Sequence, residues 1–256
     1  MKSTLYYPRP ELQNLIQSYR IIETDEDIVN RVLPNLGLAI VFTVQGQISF
    51  VEERGYRPLS SSILSGIRKS IKNIHYAKGS KSIIVLFTEV GAATFFKNPL
   101  HELFGISVEL ENFVQQDEIK NLEEKLYHAR TDSDRIKEID QFLLSNIMTA
   151  EIDSYVHRAV DEIRKTKGLI KVSSLPHMLH ISQDAFEKRF RKAVGCSPKQ
   201  FANITRLKQI ITLPNRSPLI HIALEHGYYD QAHFNRDFKN FTGLSPADFY
   251  KSGLFW

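Results

Sequence analysis

One stretch of this chain is written twice. Ser182 to Pro198 recurs at Asp230 to Pro246, 48 residues further on, with Gln183 matched by Gln231, Phe186 by Phe234, Phe190 by Phe238, Arg191 by Lys239, Gly195 by Gly243, Ser197 by Ser245 and Pro198 by Pro246. Each copy opens on a residue able to cap a helix, Ser182 or Asp230. Each sets phenylalanines at i and i+4 on one helical face and ends at a glycine suited to the left-handed conformation. The spacing predicts two short helices of one design, each with a buried aromatic stripe and a polar, largely basic outer face. Any two capped amphipathic helices align loosely, but Gly-x-Ser-Pro at the same distance beyond the same phenylalanine pair is hard to obtain by chance. A duplicated helix of this kind is what two nucleic-acid reading heads in one chain look like.

The residues before each copy supply the rest of a helix-turn-helix unit. Ser217-Pro218 reads as a cap followed by proline at the first helical position, and Leu219, Ile222 and Ala223 give a short apolar face. Gly227 closes that helix, Tyr228 and Tyr229 form the turn, and Asp230 opens the next one. Before the first copy, Leu175, Met178, Leu179 and Ile181 are the apolar positions, and His180 stands where the second copy has Gly227. Histidine is among the few non-glycine residues that visit positive φ with any frequency.

Residues from about Ser154 to Tyr250, some two fifths of the chain, resemble the DNA-binding domain of the AraC/XylS family of bacterial transcription regulators. That resemblance implies two helix-turn-helix units bridged by one long helix. Here the bridge would run from Pro198 to Leu213, with Phe201, Ile204, Leu207, Ile210 and Ile211 as its buried stripe and Arg206 at the family's arginine position. The family's end signature appears as Gly243, Ser245, Pro246 and Phe249. The resemblance carries base-facing roles onto Asp184, Glu187 and Lys188 of the first recognition helix and Gln231, His233, Asn235 and Arg236 of the second, all expected to project away from the phenylalanine stripes. Gln183, Arg191 and Lys239 complete the expected DNA-binding set. The two recognition helices are expected in successive major grooves, about 34 Å apart.

Three positions depart from the family pattern. Pro176 sits inside the first helix of the first unit, so that helix should begin late, with Ser173 or Ser174 as its cap. Pro214 should stop the bridging helix at Leu213 or before, and Tyr250 replaces the customary arginine, removing one phosphate contact.

Charge divides the chain in the same place. Residues 151–256 hold 16 Lys+Arg against 10 Asp+Glu, a net of +6, whereas residues 1–150 hold 17 against 19, a net of −2. A basic domain gains salt-sensitive, sequence-independent affinity for phosphate, although many basic domains never meet nucleic acid. A single cysteine, Cys196, excludes an intramolecular disulfide and points to a reducing compartment. No apolar run is long enough to span a membrane and Met1 to Pro10 lacks the apolar core of a signal peptide, so a cytoplasmic location is expected.

The N-terminal part reads differently. Ala39–Val44, Ile48–Val51 and Ile83–Phe87 are short β-branched or aromatic runs, and Gln45-Gly46-Gln47 reads as a hairpin turn between the first two. Helices are expected over about Asn121–Arg130 and over Asp132–Met148. The second would be capped by Asp132 or Ser133, and its stripe of Ile136, Ile139, Phe142 and Leu143 is expected to bury within the chain rather than against a second copy. A β module followed by helices resembles the cupin-like sensory domains of many AraC/XylS regulators. Phe95, Phe96 and Phe104 are expected in the core where the barrel meets its helices, although a pocket lined by these rings is the alternative.

A metal-dependent cupin needs several histidines and a carboxylate around one ion. This region has only His75, His101 and His128, none in a His-x-His pair, so neither metal nor cofactor is expected. His75 reads as a structural strand histidine with a pocket role as the alternative. His221 and His226 are five apart and share no helix face. No phosphate-cradling glycine loop and no serine elbow occur. Nothing in the chain asks for catalysis, and no effector-binding residue can be named.

The expected architecture is therefore α+β in two domains. Residues 1–150 would form a cupin-like β-barrel with flanking helices, for sensing or dimerisation, and residues 151–256 an all-α tandem helix-turn-helix domain that binds DNA. The resemblance implies a sequence-specific transcription regulator, an activator by type, with double-stranded DNA and RNA polymerase as partners and room for a small-molecule effector and a homodimer. The alternative is a ligand-binding or protein-interaction module whose repeat has lost DNA affinity.

Overall fold

The computed structural model describes residues 1–148, 151–212 and 219–252. The N-terminal part alternates strands: β1 (Lys2–Tyr6), β2 (Ile16–Glu23), β3 (Ile28–Val32), β4 (Ala39–Gln45), β5 (Ile48–Glu52), β6 (Gly55–Pro58), β7 (Ser62–Ser65), β8 (Lys72–Tyr76), β9 (Lys81–Phe87) and β10 (Ser107–Glu109). They form two antiparallel sheets, one ordered β1-β2-β9-β4-β7-β10 and the other β3-β8-β5-β6. The three runs expected as strands are β4, β5 and β9.

Two expectations fail here. The barrel does not close, because the two sheets remain separate among the described residues. Nor is Gln45-Gly46-Gln47 a hairpin turn, since β4 pairs with β7 and β9 while β5 pairs with β6 and β8. Gly46 instead carries the chain round a corner from one sheet to the other. Its φ is +73° and a Cβ there would lie 2.7 Å from Ser80 Cα, so this corner admits only glycine without displacement.

Strand alternation gives the larger sheet one buried face. Ile40, Phe42, Ile83, Val85 and Phe87 are at most 1% exposed. On this face α1 (Gln116–His128) packs against β4, and Phe42 meets Phe142 of α2 (Asp132–Ser145) edge to face. Ile136, Ile139, Phe142 and Leu143 are all buried within the chain, as expected. The cap of α2 is Thr131, not Asp132 or Ser133: its Oγ1 accepts from Asp134 N at 3.1 Å, and the acidic residues that follow occupy the first turn. A buried polar pin fastens α2 to β2, since the Tyr19 hydroxyl donates to Asp140 Oδ1 while Arg9 Nε stands 3.9 Å from Oδ2.

Two short 3-10 turns, Gly91–Thr94 and Leu100–Leu103, follow β9. Phe95 and Phe96 pack edge-on against Phe87, so the rings between these turns belong to the core, with Phe104 half-buried against it.

The C-terminal part is helical: α3 (Ser154–Lys165), α4 (Leu175–Met178), α5 (Gln183–Val194), α6 (Pro198–Ile211), α7 (Leu219–Glu225), α8 (Gln231–Thr242) and α9 (Pro246–Ser252). Its apolar core is continuous with that of the sheets. Polar contacts cross the seam as well: Lys208 Nζ donates to Asn35 Oδ1 at 2.8 Å, and Arg164 Nη1 stands 3.3 Å from Glu89 Oε2. Burial pushes the Lys208 ammonium below its ordinary pKa, with nearby Glu89 acting in the opposite direction.

Candidate nucleic-acid interface

The doubled motif folds into doubled structure. In α5 the Ser182 hydroxyl accepts from Ala185 N at 3.2 Å, and Gly195 ends the helix at φ +96° with its N–H on Arg191 O. In α8 the Asp230 carboxylate accepts from His233 N at 2.7 Å, and Gly243 ends the helix at φ +77° with its N–H on Lys239 O. Phe186, Phe190, Phe234 and Phe238 are all 0% exposed. Burying each contributes about 1.5–3 kcal/mol. The aromatic pairs extend to Phe201 in the first unit and to Phe249 in the second.

Each recognition helix has its leading helix and turn. Pro176 delays α4 as expected: residues Val172–Ser174 form a 3-10 turn and the α-helix begins at Leu175. Ser174 occupies the cap position, but its hydroxyl donates back to Lys171 O at 2.7 Å and caps nothing. His180 takes φ +55° and Gly227 φ +71° at the end of each leading helix, so the helix closes in the same way, although the first turn is one residue shorter before its cap. The cap expected at Ser217-Pro218 lies outside the described residues, as do Leu213 and Pro214, but the bridging helix ends at Ile211 with Thr212 as its cap, within the expected bound.

The bridging helix α6 starts with a full capping box: Ser197 Oγ accepts from Gln200 N at 3.2 Å and Gln200 Oε1 accepts from Ser197 N at 2.9 Å. Its stripe of Phe201, Ile204, Leu207 and Ile210 is buried, and Ile211 is half-buried. Cys196, just before the cap, is buried too, which pushes its thiol up to about 12 and leaves it un-ionised at neutral pH. Tyr250 takes a structural role, its hydroxyl donating to Ile210 O at 3.0 Å and tying α9 to the last turn of α6.

On the outer face of α5, Gln183, Asp184, Lys188 and Arg191 are exposed and Glu187 is half-buried. Arg191 donates through Nε and Nη2 to Glu187 Oε1 at 3.0 and 2.8 Å. On α8, Gln231, His233, Arg236 and Lys239 are exposed. Asn235 differs from them: it flanks the Phe234/Phe238 stripe, is half-buried, and its Oδ1 is enclosed without a hydrogen-bond partner. His233 Nε2 lies 3.8 Å from Asp237 Oδ2. Sequence reasoning missed Arg189, which lies over the Tyr155 ring and donates to Asp153 Oδ2 at 2.8 Å, tying α5 to the start of α3. Its position beside the stripe was the available signal. In the sheets, His75 stacks on Tyr56 with ring centroids 4.2 Å apart and its Nε2 lies 3.2 Å from Asp27 Oδ1, a structural setting.

The described helices thus form two helix-turn-helix units joined by one long helix. Residues 175–252 match the family described as helix-turn-helix domain, and residues 4–109 match one described as a domain of unknown function. The C-terminal region is similar in sequence to helix-turn-helix domains. Among similar proteins, an uncharacterized HTH-type transcriptional regulator of Haemophilus influenzae is 35% identical over 83 residues, 32% of this chain and 28% of that protein. The HTH-type transcriptional regulator MtrA of Neisseria gonorrhoeae is 32% identical over 100 residues, 38% of this chain and 32% of its own. The chain thus spans about a third of the length of these curated relatives. Among solved structures, ToxT from Vibrio cholerae aligns with 98% of this chain and 97% of its own at 10% identity and a TM-score of 0.47.

Proposed function

We propose that this chain is a cytoplasmic, sequence-specific DNA-binding regulator of transcription and not an enzyme. In this reading residues 151–256 read DNA, and residues 1–150 sense an effector or pair two copies. The observation that carries it is the duplication itself: two capped helices of the same design, each with its stripe buried and its polar side chains outward, joined by α6. At about 1.5 Å per residue that helix of 14 residues is about 21 Å long, a spacer suited to neighbouring major grooves. Gln183, Asp184, Glu187, Lys188 and Arg191 would serve the first groove, and Gln231, His233, Asn235, Arg236 and Lys239 the second. The net charge of +6 over residues 151–256 supplies general affinity for phosphate. RNA polymerase contact and activation follow from the same reading.

The test is titration of the full chain against random duplex at several salt concentrations, followed by selection from a randomised library. Salt-sensitive binding and recovery of one preferred sequence are expected. Salt-insensitive or absent binding would leave the alternative, a module whose repeat has lost DNA affinity.

A further inference from the structure

We propose that Arg206 is a positioning residue that fixes the second helix-turn-helix unit onto the bridging helix and so sets the angle between the two reading heads. The inference rests on the DNA-binding reading above. Arg206 Cζ stands 4.2 Å from the centroid of the Tyr228 ring, and Tyr228, in the turn between α7 and α8, is only 3% exposed. Arg206 Nη2 donates to Asn203 Oδ1 at 2.7 Å, which anchors the guanidinium to its own helix. The chain leaving α3 crosses beside it. A Cβ on Gly168, whose φ is +80°, would lie 2.3 Å from Ala202 O and 2.9 Å from Arg206 N, so only glycine permits this approach. A Cβ on Gly227 would lie 3.3 Å from Leu169 Cδ2 and 4.0 Å from Arg206 Nη1. The lead-in to the first unit therefore crosses at the backbone of Arg206, while the turn of the second unit lies against its guanidinium.

The energetics of the position favour placement over stability. Arg206 Nε is buried without a hydrogen-bond partner, and among the described residues no carboxylate pairs with Arg206. Leaving a buried donor unpaired is costly, and an apolar side chain of similar volume would fill the space without that cost. What a planar guanidinium on a ring adds is a preferred orientation, which an aliphatic chain lacks. Two heads held in one geometry bind as a single bivalent unit. Misorienting one therefore lowers affinity for the two-part site while leaving the contacts of each head unchanged.

The test uses the full chain and the duplex it selects from a randomised library. That duplex is remade with either half scrambled and with single base pairs inserted between the halves. Arg206→Met is expected to keep the wild-type thermal midpoint or exceed it, and to bind each half-scrambled duplex as the wild type does. It should bind the intact duplex about tenfold more weakly, with a flatter response to insertions. Tyr228→Leu should behave alike, and Tyr228→Phe, which keeps the ring, should match the wild type. A folded Arg206→Met with wild-type affinity and insertion response would overturn the inference and leave the DNA-binding reading standing. Should Arg206→Met not fold, Arg206→Lys keeps the cation without the plane, and a wild-type insertion response in that variant overturns the inference equally. Recovery of no preferred duplex by the wild type would overturn the DNA-binding reading and this inference with it.

Discussion

Arg191 closes onto Glu187 one helical turn back, both of its donors meeting the same carboxylate oxygen at 3.0 and 2.8 Å. Both side chains are nearly half exposed, so the pair stabilises the fold by no more than about 0–1 kcal/mol. Its larger consequence is for availability: a cation on the outer face of the first recognition helix is already engaged. In the second helix Asn235 occupies the place of Glu187 and Lys239 that of Arg191, so no carboxylate stands one turn before the cation there. In the proposed DNA-binding role the two heads should therefore be unequal.

Glu187→Gln should therefore release Arg191 toward phosphate. Affinity for random duplex should rise, and the slope of log affinity against log salt should steepen by about one phosphate contact, roughly 0.9. Preference at one base pair should relax. Anisotropy titrations at several salt concentrations measure all three, and a loss of affinity for random duplex would show that the Glu187 carboxylate positions Arg191 for phosphate rather than withholding it.

Arg236→Ala tests the other head. Arg236 is exposed and, among the described residues, has no ion pair to release. If it reads a guanine edge, its loss removes about 1–3 kcal/mol of discrimination, a weakening of roughly ten- to a hundredfold on the preferred site. Random duplex should suffer much less. Should Glu187→Gln cost more specific affinity than Arg236→Ala, the first head is the main reader.

How much of this was legible in the sequence depended on how local each feature is. The doubled motif was readable because its cap, stripe and terminal glycine fall within one short segment, and even the positive φ of His180 followed from its place, like that of Gly227, at the end of a leading helix. The β6 strand Gly55–Pro58 is exposed throughout and so carries no apolar signal. In β2, Ser18 and Tyr19 are both buried, as are Ile21 and Ile22, which hides the alternation that marks a half-buried strand. The corner at Gly46 looks like a hairpin until the partners of β4 and β5 are known. The seam was out of reach, since Lys208 and Asn35 are 173 residues apart. In the site, the outward residues followed from helix geometry, but the enclosure of Asn235 Oδ1 depends on what packs around α8, which no spacing rule states.

Gly195 is the point where the first head meets the seam. A Cβ there would lie 3.2 Å from Leu100 O in the preceding 3-10 turn, on a backbone at φ +96°. Gly195→Ala should cost about 1–2 kcal/mol from the backbone conformation alone. For a chain of this size that lowers the thermal midpoint by roughly 2–8 °C, with the close contact adding to it. Calorimetry measures the change, and an unchanged midpoint would mean that the turn relaxes freely away from Leu100.

The Tyr19–Asp140 pin gives stability a pH dependence of definite sign. Burial holds the Asp140 carboxyl above its ordinary value, opposed by the Tyr19 hydroxyl and by Arg9, with Glu11 adding to the rise. The folded chain thus binds this proton more tightly than the unfolded chain, whose carboxyl titrates near about 3.9. The contribution is favourable below that pH and is lost as pH climbs through the raised folded value. Asp140→Asn keeps an acceptor for Tyr19 but removes the titration. Urea midpoints of the two proteins should therefore diverge as pH rises from about 4 toward neutrality, the wild type losing ground to the variant. Tyr19→Phe, which strips a donor from the buried carboxylate, should cost about 1–3 kcal/mol near neutrality. A gap between wild type and Asp140→Asn that stays constant with pH, or moves in the wild type's favour, would show that the carboxyl is not held above its ordinary value.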